Sequence, residues 1–370
     1  MIVDRVRMDA YAEALERVVT PESVVLDIGA GTGILSLLAC KLGARRVYAI
    51  EPGSAAALIG EAARDNGYAD RITVLRQRST EVALKERADV IVSDLRGVLP
   101  LFQRHILDIA DARARLLAPG GRLIPRSDVL FAAVVSAPAP FEASRGPWES
   151  QPLGLSLRSG LRYLENLWEK HYARADDLLG PPVQWSELDY ATVTDPRVRG
   201  HGTCTISSDG TAHGLLAWFD ARLAEGVGFS NRPGAATTIY GQAFFPWPRA
   251  VALRSGDCVS FELRADPAAP DYVWTWTTEI HGGQAPAQRF RQSTFVGLPL
   301  SPDKLRKRAS TFRPTLSPAG ELTLSTLDSM RSGVSLEELA RALHAAQPER
   351  FRSQEDALDF IADLSERYSA

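Results

Sequence analysis

Three carboxylates in the first hundred residues, Asp27, Glu51 and Asp94, stand at or near the ends of short apolar runs. The first lies in VVLDIGAGTGILSLL (24–38), where Gly29, Gly31 and Gly33, with Thr32 between them, form a turn of little side-chain bulk. Such a turn between a strand and a helix brings backbone N–H groups and a helix N-terminus close to a ligand. In the dinucleotide fingerprint the third glycine lies three positions after the second. Here Ile34 stands at that place and Gly33 comes early. Glu51 ends RRVYAIE about twenty residues on, where a carboxylate accepts hydrogen bonds from ribose hydroxyls. The pattern favours a nucleoside ligand over a pyrophosphate, and S-adenosylmethionine is a ligand of that kind. A tight turn in any α/β domain is the plain alternative.

The elements that must hold these groups follow from the hydrophobic spacing. Residues 1–20 read as an amphipathic helix with Val6, Tyr11, Leu15 and Val18 inward, stopped at Thr20-Pro21. Residues 24–28 read as a strand buried on both faces and 34–42 as a helix. A helix over 54–66, strands over 71–75 and 88–93, and a helix over 100–117 come next, with Pro119-Gly120-Gly121 closing the last and GRLIP opening a strand. Alternating strands and helices predict a doubly wound parallel sheet, whose ligands sit at the carboxyl ends of the strands. The three acids should then face one crevice.

Past about residue 128 the texture changes to β-rich runs such as DVLFAAVVSA, CVSFELRA and YVWTWTTEI, as in an antiparallel barrel or sandwich. One helical insertion, LRYLENLWEKHYARADDLL, is too apolar for a free loop and suits a partner contact as well as a place on its own barrel. Residues 322–330, 335–346 and 353–368 read as three short helices, the second with a Ser335/Glu338 capping box. The expected domains are 1–127, 128–300 with an arm at about 155–179, and a small helical or winged-helix-like unit at 301–370.

The 370-residue chain carries a net charge of −3 and a pI near 6.1, which gives no electrostatic reason for a nucleic-acid partner. No apolar run is long enough for a bilayer, and MIVDRVRMDAY is too charged for a signal peptide. Cys40, Cys204 and Cys258 are too far apart in sequence to suggest a disulfide framework or a zinc site, so a cytoplasmic location with buried thiols is expected. His105, His213 and His281 lack metal-ligand spacing, although His105 could face the crevice.

From Met1 to about Thr294 the chain resembles the protein arginine methyltransferase family: a seven-stranded S-adenosylmethionine-binding domain, then a β-barrel with a helical dimerisation arm. DRVRMDAY is similar to the segment that folds over the cofactor, which implies that Arg7 meets the methionine carboxylate and Asp4 is an active-site acid. The likeness of VVLDIGAGTGILS and of Ile50-Glu51 implies that Gly29 and Gly31 approach the methionine part and Glu51 holds the ribose. Ser79 and Thr80 fall where adenine is met, and residues 155–179 fall where the arm of a head-to-tail homodimer lies.

Departures from the family's pattern concern the acceptor. Two glutamates bracket the substrate guanidinium in the family; in SDLRGVLPLFQRH their places are taken by Asp94, one methylene shorter, and by neutral Gln103. Losing one charge-assisted partner costs roughly 1.5 to 3 kcal/mol. The barrel's Thr-His-Trp signature reads Thr238-Ile239-Tyr240, and the family's tyrosine-bearing N-terminal helix is not expected ahead of this segment. Asp94 is the candidate for orienting or deprotonating the acceptor, with Gln103 orienting it as a neutral group and Tyr240 lining the pocket. The expectation is a methyltransferase using S-adenosylmethionine, with S-adenosylhomocysteine as product, acting on an amine or hydroxyl of a small metabolite or peptide. A genuine protein arginine N-methyltransferase and a non-catalytic dimeric scaffold are the alternatives.

Overall fold

In the computed structural model, residues 2–282, 286–299 and 301–369 are described; the domain limits expected at 1, 300 and 370 fall outside them. Asp4 accepts a hydrogen bond from the Arg7 N–H (3.2 Å) and so caps α1 (Arg5–Glu16), satisfying one of the helix's unpaired donors. The helix buries Arg7, Ala10, Tyr11, Ala14 and Leu15; of the four positions expected inward, Val6 and Val18 are only half-buried.

β1 (Val24–Ile28), α2 (Ile34–Lys41), β2 (Arg46–Ile50), α3 (Ala56–Asp65), β3 (Ile72–Leu75), β4 (Ala88–Ser93), α4 (His105–Arg115) and β5 (Leu117–Ile124) follow. The strands form one parallel sheet in the order β3-β2-β1-β4-β5, five strands where the resemblance implies seven. Its order reverses beside β1, which places the β1 and β4 carboxyl ends next to each other. Pro119-Gly120-Gly121 does not close α4. The helix ends at Arg115, and β5 pairs Leu117 with Ala88 and Arg122 with Val90, so the intervening residues bulge out of the ladder.

The barrel comprises β6 (Ser127–Val135), α5 (Pro138–Glu149), α6 (Leu161–Leu164), β7 (Glu169–His171), β8 (Val183–Asp189), β9 (Val198–Thr205), β10 (Gly210–Ala224), β11 (Val227–Ser230), β12 (Gln242–Leu253), β13 (Cys258–Ala268), β14 (Asp271–His281) and β15 (Gln288–Ser293). One antiparallel sheet runs β7-β12-β10-β6-β8 with β11 added on β10, and the other runs β15-β14-β13-β9. Phe219, Phe245, Trp247 and Trp276 are fully buried in the core they share.

The insertion read as helical over 161–179 is not one helix. Asn166 turns back to the Arg162 carbonyl (2.7 Å) and accepts from the Ser293 N–H (2.8 Å), and Glu169–His171 then pair with β12 as a strand. Tertiary pairing has overridden helical spacing. Conversely α5, in a region expected to be β-rich, forms despite Gly146 and Pro147, with Pro138 in its first turn, where a missing N–H costs nothing.

The chain divides into two compact units, 1–299 and 300–370. The second contains α7 (Pro302–Lys307), α8 (Pro318–Met330), α9 (Leu336–Ala346) and α10 (Gln354–Tyr368), around Leu322, Leu339, Ala340, Phe351, Ala357 and Ile361. Among its described residues there is no strand, so it is helical and lacks a wing. No helix among the described residues is long and apolar enough to cross a membrane.

Gly33 adopts φ +83°, and a Cβ there would stand 2.9 Å from Ile59 Cγ2. Gly33→Ala is therefore expected to lower stability by about 1 to 3 kcal/mol, read as a fall in the urea midpoint. An unchanged midpoint contradicts the packing described for this turn.

Candidate active site

The turn after β1 folds back on Glu51. Gly29 and Ala30 donate to the Ile50 carbonyl (2.9 and 3.0 Å), while the Gly31 N–H donates to Glu51 Oε2 (2.9 Å) and the Gly53 N–H to Oε1 (2.8 Å). The Glu51 carboxylate thus bridges two loops at the carboxyl ends of β1 and β2, with each oxygen retaining a lone pair for a ligand hydroxyl. Gly29 has φ +71°, and a Cβ there would lie 2.3 Å from Leu95 Cδ2; at Gly31 a Cβ would meet open space. Thr32 is half-buried on the same turn. Ser79 is buried and Thr80 half-buried in the short turn after β3, where Arg115 Nη2 donates to the Ser79 carbonyl (2.8 Å).

Asp27 does not share the crevice expected for three acids. It is 1% exposed beneath the turn, where Ser36 Oγ donates to its Oδ2 (2.7 Å). Burial raises its pKa to about 6 against the pull of those Ser36 hydrogen bonds. Its role is to hold α2 against β1.

Asp94 is the meeting point of three elements. Arg7 of α1 donates to Asp94 Oδ2, Arg96 Nη1 to Oδ1 (3.2 Å), and the Tyr240 hydroxyl to both oxygens (2.7 Å each). Tyr240 reaches it because the loop before β12 is pinned at both ends. Phe219 N–H donates to Asn231 Oδ1 (2.8 Å), and Gln242 Nε2 donates to the Asn231 carbonyl (2.5 Å). The Tyr240 ring stacks on Phe229 at 5.9 Å. Burial, then the Asp94 charge, pushes the phenol well above its usual range, so it acts as a donor and not as a base. Asp4 joins this loop to α1 by accepting the Ile239 N–H (2.7 Å).

Gln103 stands apart. It is exposed, holds φ +47°, and its backbone N–H donates to Asp271 Oδ1 (2.9 Å); no hydrogen bond from it to the Asp94 cluster is found among the described residues. His105 does not face the crevice either. It is 2% exposed with Nε2 on the Tyr190 hydroxyl (2.9 Å), and burial, aided by Arg96, lowers its pKa to about 3.

Sequence reasoning missed Arg96, Tyr11, Asp128 and Tyr190 as a set. Arg96 is forked on Asp128 by Nε and Nη2 (2.9 Å each) and donates from Nη1 to the Tyr11 hydroxyl (2.7 Å), while Tyr190 donates to Asp128 Oδ2 (2.5 Å). The signal available was an ionised residue inside an apolar strand, since Asp128 opens DVLFAAVVSA. No cluster of three or more potential metal ligands occurs among the described residues.

Comparison with known proteins places the class first. A family model described as ribosomal protein L11 methyltransferase (PrmA) matches residues 11–127, and one described as the arginine methyltransferase oligomerization subdomain matches 160–275. The Trypanosoma brucei PRMT1 enzyme-prozyme heterotetrameric complex with AdoHcy has a similar fold: TM-score 0.73, 22% identity, 79% of this chain and 95% of that one covered. The architecture is a Rossmann-like class I methyltransferase domain followed by a β-barrel. Protein arginine N-methyltransferase 6 of Xenopus tropicalis is 31% identical over 255 residues, 65% of this chain and 73% of the relative. The chain belongs to the protein arginine N-methyltransferase family. A probable protein arginine N-methyltransferase 6 from Arabidopsis thaliana is 36% identical over 152 residues, which are 40% of this chain and only 35% of that relative's length.

The unfolded chain protonates His105 near its ordinary value of about 6.5, the folded chain near about 3. Between those values the unfolded state binds the extra proton, so this group's contribution is present above the window and lost as the pH falls through it. Asp27, with its raised pKa, acts in the opposite sense. His105→Gln is expected to lose less melting temperature than the parent protein between about pH 7 and about pH 4.5; an equal loss contradicts neutral burial of His105.

Proposed function

We propose that the chain is an S-adenosylmethionine-dependent methyltransferase whose acceptor is the guanidinium of a protein arginine. The cofactor half rests on the residues around the turn. A Cβ at Gly31 would meet nothing within 4 Å, Glu51 spans Gly31 and Gly53, and Ser93 Oγ at the carboxyl end of β4 is buried with no hydrogen-bond partner among the described residues. A nucleoside whose ribose hydroxyls donate to the Glu51 carboxylate, with a polar tail, fits these groups. When bound, the cofactor supplies an electrophilic methyl group on a sulfonium and leaves as a neutral thioether.

The acceptor half rests on one observation: the carboxylate at the tip of β4 already receives two guanidinium groups, those of Arg7 and Arg96. An acceptor guanidinium would take the place on Asp94 Oδ2 that Arg7 holds here, with Arg96 and Tyr240 keeping the carboxylate oriented. In the proposed reaction Asp94 orients the acceptor nitrogen toward the methyl carbon, and its charge favours loss of the nitrogen's proton as the N–C bond forms and the C–S bond breaks. Tyr240 holds the carboxylate in place, and the surrounding Phe219 and Phe229 rings exclude water. The relatives named for arginine methylation support the same acceptor.

A second reading, an amine or hydroxyl of a small metabolite or peptide, is favoured by Gln103, which supplies no second carboxylate and lies on Asp271. Self-association through the arm is also proposed. Leu153, Leu155 and Leu157 are 97%, 63% and 43% exposed, and the model for residues 160–275 is named for oligomerization.

Labelled S-adenosylmethionine with arginine-rich peptides, followed by acid hydrolysis, is expected to yield methylarginine. Glu51→Ala should weaken cofactor binding, and Asp94→Asn should leave binding nearly intact while lowering turnover on the order of 100-fold. Label appearing only in small metabolites would shift the acceptor to the second reading; a fully active Asp94→Asn would remove Asp94 from the chemistry. Sedimentation is expected to show a dimer that Leu155→Glu weakens, and a monomeric parent protein would contradict the arm's role.

A further inference from the structure

We infer that Arg96 is a positioning residue: anchored on the barrel by Asp128, it sets the orientation of the Asp94 carboxylate at the carboxyl end of β4. The inference rests on the proposed methyl transfer for its kinetic consequence.

The geometry is unusually constrained for an arginine. Its side chain is 0% exposed, as is that of Asp128, and the Asp94 side chain is 6% exposed. Four N–H groups are used: two on the Asp128 oxygens, one on Tyr11 and one on Asp94 Oδ1. Phe219 and Phe229 lie 5.5 and 5.7 Å from the guanidinium carbon. A planar fork gripped at both edges cannot rotate without breaking a charge-assisted bond, so the Nη1 position is fixed relative to β6. Asp94, at the end of a strand in the other half of the fold, is thereby referenced to the barrel. That half also carries Tyr240, which with Arg7 of α1 completes the donors to Asp94. Charge makes the arrangement specific. Arg96 and Asp128 cancel, so the pair adds direction to Asp94 and almost no net charge to the pocket.

A single Arg96→Met would strand the buried Asp128 charge and is expected to fold poorly. The test is therefore the double variant Arg96→Met/Asp128→Leu. Exchange of a buried ion pair for apolar residues is often neutral for folding. Here Tyr190 keeps His105 and Tyr11 keeps the Ser93 carbonyl as partners. The folded double variant is expected to bind S-adenosylhomocysteine as the parent does, with acceptor KM little changed and kcat lower on the order of 100-fold. Its crystal structure should show Asp94 displaced from Tyr240. Arg96→Lys, which retains the charge on Asp128 but cannot span both carboxylates, is expected to lose kcat in the same way and carries the comparison if the double variant does not fold. Parental kcat in these variants, or an Asp94 carboxylate unmoved within about 0.5 Å, overturns the inference. Because the crystal structure reads Asp94 without turnover, a parent protein that methylates no arginine peptide defeats the acceptor proposal alone and leaves this one decided.

Discussion

One carboxylate holds the two halves of the proposed active site in register. Asp94 leaves the sheet at the carboxyl end of β4 and is met by a guanidinium from α1, a second from its own loop and a phenol from the barrel. Buried carboxylates are costly unless every lone pair has a partner and the charge is balanced. With Arg7 and Arg96 against Asp94 and Asp128, two cations face two anions, and the cluster is neutral without solvent. Each partner comes from a different element, so the requirement that Asp94 be satisfied also fixes where α1, the β4 loop and the loop before β12 meet.

Around that junction the fold divides its tasks by the dielectric it creates. The parallel sheet ends in backbone donors and one half-buried acid, Glu51, which suits a polar ligand with hydroxyls. The barrel contributes aromatic walls and buried donors, which suit exclusion of water and fixed orientation. Asp27 and His105 belong to neither task. Both are buried, with pKa values near 6 and near 3 that report the cost of placing ionisable groups inside the protein.

Much of this was legible in the sequence where local chemistry decides the outcome. The glycines at 29, 31 and 33 take positive φ as the turn requires, Glu51 directly follows the strand the spacing predicted, and the capping box at Ser335 opens a real helix. What failed depended on distant partners. The arm's helical spacing yields to a strand because β12 supplies a ladder for Glu169–His171, and Pro119–Gly121 becomes a bulge because β4 pairs on both sides of it. The resemblance implied an acceptor-binding place for Gln103, yet its backbone N–H bonds Asp271 and the residue is exposed. Arg96 and Asp128 lie 32 residues apart in sequence, and nothing local says that they form a pair.

The account turns on the glycine turn and Asp94 serving one reaction, and a crystal structure of the parent protein with S-adenosylhomocysteine tests this most directly. The expected result places the ribose hydroxyls on Glu51 and the ligand's carboxylate on Arg7, with Asp94 still held by Arg96 and Tyr240 and facing the sulfur. A ligand seated elsewhere, or an Asp94 carboxylate turned away from the sulfur, would contradict it.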